Sequence, residues 1–190
     1  MSNQAVFLDR DGTINEDVGY LSDGEKLNLL PRVAEAIKML NGAGFKVIIV
    51  SNQSGVARGF FFEEVVNEIN TKLERELLKK EAFVDGTYFC PHHPEIGTPP
   101  YRKNCHCRKP KPGLLLQAAK DHEIELSRSY TVGDEIKDIE AGVRAGCKTV
   151  LVLTGKERDM PKRDWNVRPD YIAKNLHDAA CWILSKEKAK

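Results

Sequence analysis

The sequence lacks several features that would place its 190 residues in a special class of protein. It has almost no net charge, because 29 basic residues nearly balance 28 acidic ones, and this argues against a general binder of nucleic acid or of membrane surfaces. It has no apolar run that approaches the ~20 residues needed to span a bilayer. Residues 1–4 include no basic region leading into an apolar stretch, so we expect no secretory signal and a cytosolic protein.

Cysteine is too sparse, and the expected compartment too reducing, for a disulfide framework. Three of the five cysteines, Cys90, Cys105 and Cys107, lie in one stretch that also contains histidines. Cys147 and Cys181 stand alone among apolar residues, so we expect both in the core. This uneven distribution favours metal binding in a single loop over covalent cross-linking.

The remaining composition, 41% hydrophobic and 30% charged, is typical of a folded chain, and the length predicts one domain over residues 1–190. Short apolar runs alternate with amphipathic segments along the chain. We predict strands near residues 5–8, 46–50, 86–89, 129–132, 149–153 and 171–173, and helices that begin near Pro31, Glu63, Gly113 and Ile136. The alternation predicts a three-layer, Rossmann-like α/β fold, in which helices cover both faces of a parallel sheet.

Charged and hydroxyl side chains lie next to the predicted strands. Asp9 and Asp11 follow the first strand, Ser51 follows the second, Asp134 follows the fourth, and Lys109 precedes a helix. Parallel sheets bind ligands at the carboxyl ends of their strands, so we expect these groups around one crevice. Clustered carboxylates favour Mg²⁺, whereas lysine and hydroxyl groups favour a phosphate. A carboxylate that attacks phosphorus, with a second that donates a proton, predicts phosphoryl transfer.

These motifs resemble those of the haloacid dehalogenase-like phosphatase superfamily. The matching positions are Asp9-x-Asp11-Gly12-Thr13, Ser51, Lys109 and Gly133-Asp134 with Asp138. The resemblance implies that Asp9 is the nucleophile and that Asp11 is the general acid and then the general base. It also implies that Mg²⁺ is held by the carboxylates of Asp9 and Asp134 and by the backbone carbonyl of Asp11.

The same resemblance implies that Ser51 and Lys109 bind the transferring phosphoryl group. Lys111 is a competing candidate for the lysine role, and Asp138 is either a supporting carboxylate or a solvated one. The superfamily usually carries a large cap domain between these motifs. The gaps here are too short for such a domain, so we expect an open active site covered only by loops.

Cysteine and histidine cluster in the segment 90–112, which we interpret as a zinc loop. The four ligands that we select are Cys90, His92, Cys105 and Cys107. His93 is adjacent to a selected ligand, and His106 is an alternative ligand. The alternative interpretation is a loop of free thiols and solvent-facing histidines. Because protein groups can fill all four positions, we expect a structural zinc that orders the loop and fixes Lys109.

A closer resemblance covers nearly the whole chain and rests on the segment 51–59 and on Cys107-Arg108-Lys109-Pro110 beside the zinc loop. It is to capless, zinc-loop sugar bisphosphate phosphatases of the superfamily. It implies removal of the 7-phosphate of D-glycero-D-manno-heptose 1,7-bisphosphate, on the route to ADP-heptose for lipopolysaccharide core. The substrate contacts that it implies are Asp17, Gly19, Tyr20, Asn52, Gln53, Ser54 and Arg108.

Alternatives remain at this point. A bisphosphate needs a second cationic anchor, which the planar fork of Arg108 suits; Arg58 is a further candidate or a surface charge. Histidinol phosphate is the alternative substrate. A phosphoacceptor receiver, or a zinc-binding module without turnover, is the alternative class of protein. We expect a small sugar bisphosphate as the only partner, with no nucleic acid or membrane, and a monomer.

Overall fold

The computed structural model describes residues 3–156 and 166–188. In these residues the strands, in chain order, are β1 Ala5–Leu8, β2 Lys46–Asn52, β3 Gly86–Cys90, β4 Tyr130–Gly133, β5 Lys148–Val152 and β6 Tyr171–Ala173. The α-helices are α1 Val33–Gly42, α2 Glu63–Leu78, α3 Gly113–Asp121, α4 Ile136–Ala145 and α5 Leu176–Lys188. Short 3-10 helices cover Gly24–Lys26 and Leu126–Arg128. None of the helices described combines the length and apolarity needed to cross a bilayer.

The strands form one parallel sheet in the order β3-β2-β1-β4-β5-β6. β1 lies between β2 and β4, where Val6 pairs with Val47 on one side and with Tyr130 on the other. The chain winds outward from β1 in one direction through β3 and in the other from β4 to β6. This change of direction opens a crevice at the carboxyl ends of β1 and β4, which is the usual ligand site of such sheets.

The core has two layers because side chains alternate along the buried strands. Val6 and Leu8 of β1 pack on the same side as α1 and α5, whereas Ala5 and Phe7 pack on the side of α3 and α4. All four side chains are fully buried. Helices therefore cover both faces of the sheet, which confirms the three-layer α/β fold predicted from the sequence.

The C-terminal helix α5 was not among the predicted helices. It packs Ala179, Ala180 and Ile183 against α1 and the sheet. Cys181 falls on the outer side of this helix and is exposed, so its expected place in the core is wrong. Cys147, by contrast, is buried beside α3 and α4 as expected.

Candidate active site

Three carboxylates converge at the carboxyl ends of β1 and β4. Asp9 follows β1, Asp134 follows β4, and Asp138 lies in the first turn of α4; one oxygen of each lies within 4.8 Å of the others. Burial raises the pKa of Asp9; attraction to Lys109 lowers it and repulsion by Asp138 raises it again, so that the net pKa is about 6. Burial and the charges of Asp9 and Asp138 raise the pKa of Asp134 to about 8. Such a cluster is stable as carboxylates only with a cation beside it.

Lys109 supplies one positive charge to this cluster. Its Nζ lies 2.5 Å from Asp9 Oδ1 and 2.7 Å from Asp138 Oδ1, and it donates to the Val50 carbonyl at 2.7 Å. Burial lowers the pKa of Lys109, but attraction to Asp138 and Asp9 outweighs it and the net shift is upward. Lys109 is therefore an ammonium group. Asp138, which the sequence left as supporting or solvated, is buried and belongs to the cluster.

The backbone around this lysine is fixed from the end of β2. The Asn52 side chain donates to the Lys109 carbonyl at 3.0 Å and accepts from the Lys109 N–H at 3.1 Å. Lys111, the competing candidate, points into the zinc loop instead. Its Nζ donates to Asn104 Oδ1 at 2.6 Å and to the Cys105 carbonyl at 2.9 Å. The structure therefore brings Lys109, and not Lys111, to the carboxylates.

Asp11 lies beside the cluster and is held by three donors. Arg10 Nη2 donates to its Oδ2 at 2.9 Å, Asn15 to its Oδ1 at 2.9 Å and Gln53 to its Oδ2 at 2.8 Å. Arg10 is itself buried and also donates to Asn70 Oδ1 on α2 at 2.9 Å. Burial raises the pKa of Asp11, but the charge and hydrogen bonds of Arg10 outweigh this and lower it. Asp11 is thus a fixed carboxylate in this state.

The donor set fits a divalent cation. Asp134 Oδ1 is buried without a hydrogen-bond partner, whereas its Oδ2 accepts from the Lys156 N–H at 2.9 Å. Gly12 permits this arrangement: its φ is +86°, and a Cβ there would lie 2.5 Å from Asp134 Oδ2. The oxygen of Asp134 that has no hydrogen-bond partner lies close to carboxylate oxygens of Asp9 and Asp138. Such a group of oxygen atoms is the ligand set that Mg²⁺ prefers.

Ser51 lies at the end of β2, as the motif requires. It is buried, and its Oγ accepts from Gln53 Nε2 at 3.4 Å. Gln53 therefore contacts both Ser51 and Asp11. The hydroxyl group and the amide together lie between the ends of β1 and β2, where an incoming phosphoryl group would need donors.

A cavity of about 260 Å³ opens beside these groups. It is lined by Asp11, Gly19, Tyr20, Asn52, Gln53, Ser54, Arg58, Arg108, Lys137 and Lys156. Of the substrate contacts expected from the sequence, all but Asp17 line it. Asp17 lies in a neighbouring groove, where it accepts from the Gly19 N–H at 2.9 Å and faces Lys156 Nζ at 3.7 Å. Depressions of about 540 and 570 Å³ lie over α1 and α2, but they contain none of the predicted site residues.

Two lysines of the cavity wall were missed by the sequence analysis. Lys137 and Lys156 each place Nζ 2.7 Å from Glu135 Oε1. Burial lowers the pKa of Lys156, but the hydrogen bond to Glu135 outweighs it and raises the pKa to about 12. Lys156 comes shortly after β5. Including the residues that follow the fifth strand in the strand-end argument would therefore have predicted it.

The four selected cysteine and histidine ligands meet at one point. One ligand atom from each lies within 4.8 Å of the others, and several pairs are 3.2–3.6 Å apart. Tetrahedral zinc with bonds near 2.3 Å would hold its sulfur ligands about 3.8 Å apart, so the set fits a zinc site. The hydrogen bond between Cys107 and Cys90 lowers the pKa of Cys107 to about 5.

The other two histidines of the loop lie outside this ligand group. His93 Nδ1 accepts from the backbone N–H groups of Glu95 at 3.1 Å and Ile96 at 3.0 Å, so it stabilises a turn. His106 is exposed between two ligands. The ligand group is joined to the cavity by Arg108, whose Nη1 donates to the His92 carbonyl at 3.2 Å.

Known proteins match this chain in sequence. A family model described as HAD-hydrolase-like, the abbreviation for haloacid dehalogenase, matches residues 106–179. The D-glycero-beta-D-manno-heptose-1,7-bisphosphate 7-phosphatase of Yersinia pestis is 43% identical over 185 residues, which are 97% of each chain. The protein of that name from Escherichia coli K12 is 38% identical over 182 residues, 95% of this chain and 88% of its own.

Solved structures match the fold. D,D-heptose 1,7-bisphosphate phosphatase from B. bronchiseptica, complexed with magnesium and phosphate, has a TM-score of 0.82 and 31% identity, covering 96% of this chain and 99% of its own. A HAD-like phosphatase from Mesorhizobium loti has a TM-score of 0.84 and 34% identity, covering 97% and 87%. By these similarities the chain belongs to the heptose-1,7-bisphosphate 7-phosphatase family of haloacid dehalogenase-like hydrolases.

Proposed function

We propose that this protein is a Mg²⁺-dependent phosphomonoesterase that removes the 7-phosphate of D-glycero-D-manno-heptose 1,7-bisphosphate. The observation that carries the proposal is the convergence of Asp9, Lys109 and Asp134 beside a cavity whose wall bears Arg58 and Arg108. The first three residues suit a reacting phosphate, and the arginines suit a second phosphate on the same molecule. The names of the sequence relatives support the same substrate.

In the first half of the reaction, a carboxylate oxygen of Asp9 attacks phosphorus of the 7-phosphate. The bond between phosphorus and the sugar oxygen breaks, and Asp9 becomes an aspartyl-phosphate. Asp11 donates a proton to the departing sugar oxygen. Because Asp11 is a carboxylate in the free enzyme, it must first take up that proton from solvent as the substrate binds. Lys109 and the Ser51 hydroxyl hold the phosphoryl oxygens.

In the second half, the ionised Asp11 accepts a proton from a water molecule that attacks phosphorus of the aspartyl-phosphate. The acyl phosphate bond breaks, inorganic phosphate leaves, and Asp9 returns to its carboxylate form. Gln53 and Arg10 keep Asp11 in place through both steps, because both donate to its carboxylate. Water is thus activated by the same group that protonated the sugar.

The proposal includes two metal ions with different roles. Asp9 and Asp134, with the Asp11 carbonyl, would hold Mg²⁺, which when bound neutralises charge on the phosphoryl oxygens and the carboxylates. Asp138 supports Lys109 from the other side at 2.7 Å. The cysteine and histidine group would hold Zn²⁺ with no open position, which makes that ion structural. A cytosolic location and a role in lipopolysaccharide core synthesis stay predictions of the sequence resemblance.

The alternatives from the sequence are less well supported. Histidinol phosphate carries a cationic headgroup, and the cavity wall already contains the cations of Arg58, Arg108, Lys137 and Lys156. Like charges disfavour such a ligand. A phosphoacceptor receiver does not turn over its phosphate, whereas the relatives of this chain are phosphatases. A receiver also does not need a second fixed carboxylate, such as that of Asp11, beside the nucleophile.

Steady-state kinetics on heptose 1,7-bisphosphate and histidinol phosphate test the substrate, with metal analysis of the same preparation. We expect kcat/KM to favour the bisphosphate by about 10- to 100-fold, since a charged hydrogen bond to the second phosphate contributes a factor in that range. Asp9→Asn is the control for contaminating phosphatases. Equal or faster turnover of histidinol phosphate by the wild-type protein would reverse the assignment.

A further inference from the structure

Arg58 is held at the wall of the cavity by aromatic side chains. It follows β2 in a turn where its N–H donates to the Ser54 carbonyl at 3.1 Å. Its Cζ lies 5.6 Å from the centre of the Tyr20 ring, and that ring meets Phe60 edge-on at 4.8 Å. A cation–π contact of this kind restricts the positions that the guanidinium group can adopt. The contact with Tyr20 therefore favours one placement of Arg58 at the cavity wall before any ligand binds.

The guanidinium groups on this side of the cavity lack counter-charges. Arg58 Nε is buried without a hydrogen-bond partner, and in residues 3–156 and 166–188 neither Arg58 nor Arg108 forms an ion pair with a carboxylate. Arg108 donates to the His92 carbonyl at 3.2 Å.

The two lysines that line the cavity, by contrast, have carboxylate partners. Lys137 and Lys156 share Glu135, each at 2.7 Å, and Asp17 lies 3.7 Å from Lys156. Two lysine charges thus face two carboxylates. An anionic ligand in the cavity therefore gains more binding energy from Arg58 and Arg108 than from the two lysines. Partly buried cations without partners are stabilised most by an incoming opposite charge.

We propose that Arg58 is a specificity residue that binds the distal phosphate of the substrate together with Arg108, and that it selects sugar bisphosphates over monophosphates. This inference rests on the proposed function, because it assigns the second phosphate of the same substrate. Tyr20 then has two tasks, since it orients the guanidinium and covers the sugar between the two phosphates. The planar fork of Arg58 offers two parallel donors to the distal phosphate, which a lysine cannot do.

The test compares heptose 1,7-bisphosphate with heptose 7-phosphate in the wild type, Arg58→Gln and Arg58→Lys. The ratio of kcat/KM for the bisphosphate to that for the monophosphate should fall about 10- to 100-fold in Arg58→Gln, the range for losing a hydrogen bond to a charged group. The loss should appear chiefly in KM for the bisphosphate, because the distal contact is the same in the ground and transition states. Arg58→Lys keeps the charge, so its kcat/KM ratio should lie between those of the wild type and Arg58→Gln.

Arg75→Gln is the matched control, because Arg75 is exposed on α2 away from the cavity. It should keep the wild-type ratio, and a fall equal to that of Arg58→Gln would indicate a general charge effect and overturn the inference. If the wild type prefers the bisphosphate and both Arg58 variants keep that preference, the role of Arg58 is wrong while the proposed function stands. If the wild type shows no preference for the bisphosphate, both are wrong. Circular dichroism verifies that each variant is folded. If Arg58→Gln does not fold, the comparison is made with Arg58→Lys alone.

Discussion

At the scale of single residues, the site concentrates charge that solvent does not screen. Asp9, Asp134 and Asp138 lie together, the ammonium group of Lys109 contacts Asp9 and Asp138, and the carboxylates of Asp134 and Asp138 are almost completely buried. Removing such groups from water is costly unless an opposite charge compensates them. The clustered carboxylates therefore carry an electrostatic cost, which the proposed Mg²⁺ would relieve on binding.

We predict that Asp134→Asn stabilises the metal-free protein. The pKa of Asp134 is about 8 in the folded state and 3.8 in a model peptide, so folding takes up a proton between these values and stability falls as pH rises from 4 to 8. An amide in place of the carboxylate abolishes this loss and still accepts from Lys156. In EDTA at pH 7.5 the melting temperature should rise by about 3 °C or more, measured by calorimetry.

Added Mg²⁺ should reverse that order, because the wild type gains stability from the ion and Asp134→Asn loses a ligand. Asp23→Asn, at an exposed position that caps a 3-10 helix, is the control and should change neither melting temperature by more than about 1 °C. A metal-free Asp134→Asn protein that melts below the wild type would show that the carboxylate cluster is not under electrostatic strain.

We predict that Asp11→Asn slows catalysis in a way that depends on the leaving group. Loss of the general acid should lower kcat about 10²- to 10⁴-fold for a sugar phosphate, whose alkoxide is a poor leaving group. For p-nitrophenyl phosphate, which needs no protonation, formation of the aspartyl-phosphate should be much less affected. Rapid-quench measurement of p-nitrophenol release separates that step from hydrolysis. Equal losses with both substrates would contradict the acid role.

The sequence predicted the site residues whose place is set by the end of a strand. Asp9, Asp11, Ser51 and Asp134 follow strands, and the rule that strand ends meet was enough to group them. Arg10 was missed because its role depends on burial and on Asn70, which lies 60 residues away on α2. The preference for Lys109 over Lys111 also depends on a distant residue, since Asn52 fixes the backbone of Lys109 from β2.

At the scale of secondary-structure elements, the segment 90–112 connects the candidate zinc site with Lys109. The loop leaves β3 at Cys90 and returns to α3 through Cys107, Arg108 and Lys109. The ligand cluster and the hydrogen bonds of Asn52 to the Lys109 backbone both hold the end of this segment. We therefore expect the positions of Arg108 and Lys109 to depend in part on the cluster.

We predict that Cys107→Ser loses the zinc and weakens the enzyme indirectly. Zinc content should fall from one ion per chain toward zero, the loop should become susceptible to proteolysis, and kcat should fall as Lys109 loses its fixed position. Cys181→Ser is the control, because Cys181 is exposed on α5 outside the cluster. Plasma emission spectroscopy and limited proteolysis make the measurement. A zinc-loaded and fully active Cys107→Ser protein would contradict the ligand set.

A second element-scale prediction concerns the junction of β2 with the loop. Asn52→Ala removes both side-chain bonds to the Lys109 backbone and leaves those groups without partners, which costs about 1–3 kcal/mol in the free energy of unfolding. Because the same backbone positions the lysine, kcat should fall at least about 10-fold. Urea denaturation and steady-state kinetics measure the two effects. Asn104→Ala, at an exposed loop position, should change kcat by less than about twofold.

Strands and helices were predicted where the periodicity of apolar residues was strong. α1 and α2 present clear apolar stripes, and their predicted starts lie close to the observed ones. α5 was missed because its apolar residues are spread around the helix, and its packing against α1 determines which of them is buried. That same contact, invisible in the sequence, placed Cys181 on the outside.

At the scale of the whole molecule, the parallel sheet turns distant segments into one reaction centre. The change of winding direction between β1 and β4 brings residues 9, 51, 109 and 134 to one crevice. Segments 90–112 and 17–20 then border the cavity beside it, so specificity is added by loops without altering the sheet. This division of labour is common in α/β enzymes, in which a rigid scaffold positions variable loops.

Phosphorus NMR of heptose 1,7-bisphosphate incubated with the protein and Mg²⁺ tests the central claim most directly. The account predicts that the resonance of the 7-phosphate disappears as inorganic phosphate forms, while the 1-phosphate resonance persists. It also predicts that Asp9→Asn leaves the spectrum unchanged over the same time. Loss of the 1-phosphate first, or phosphate release by Asp9→Asn at the wild-type rate, would contradict it.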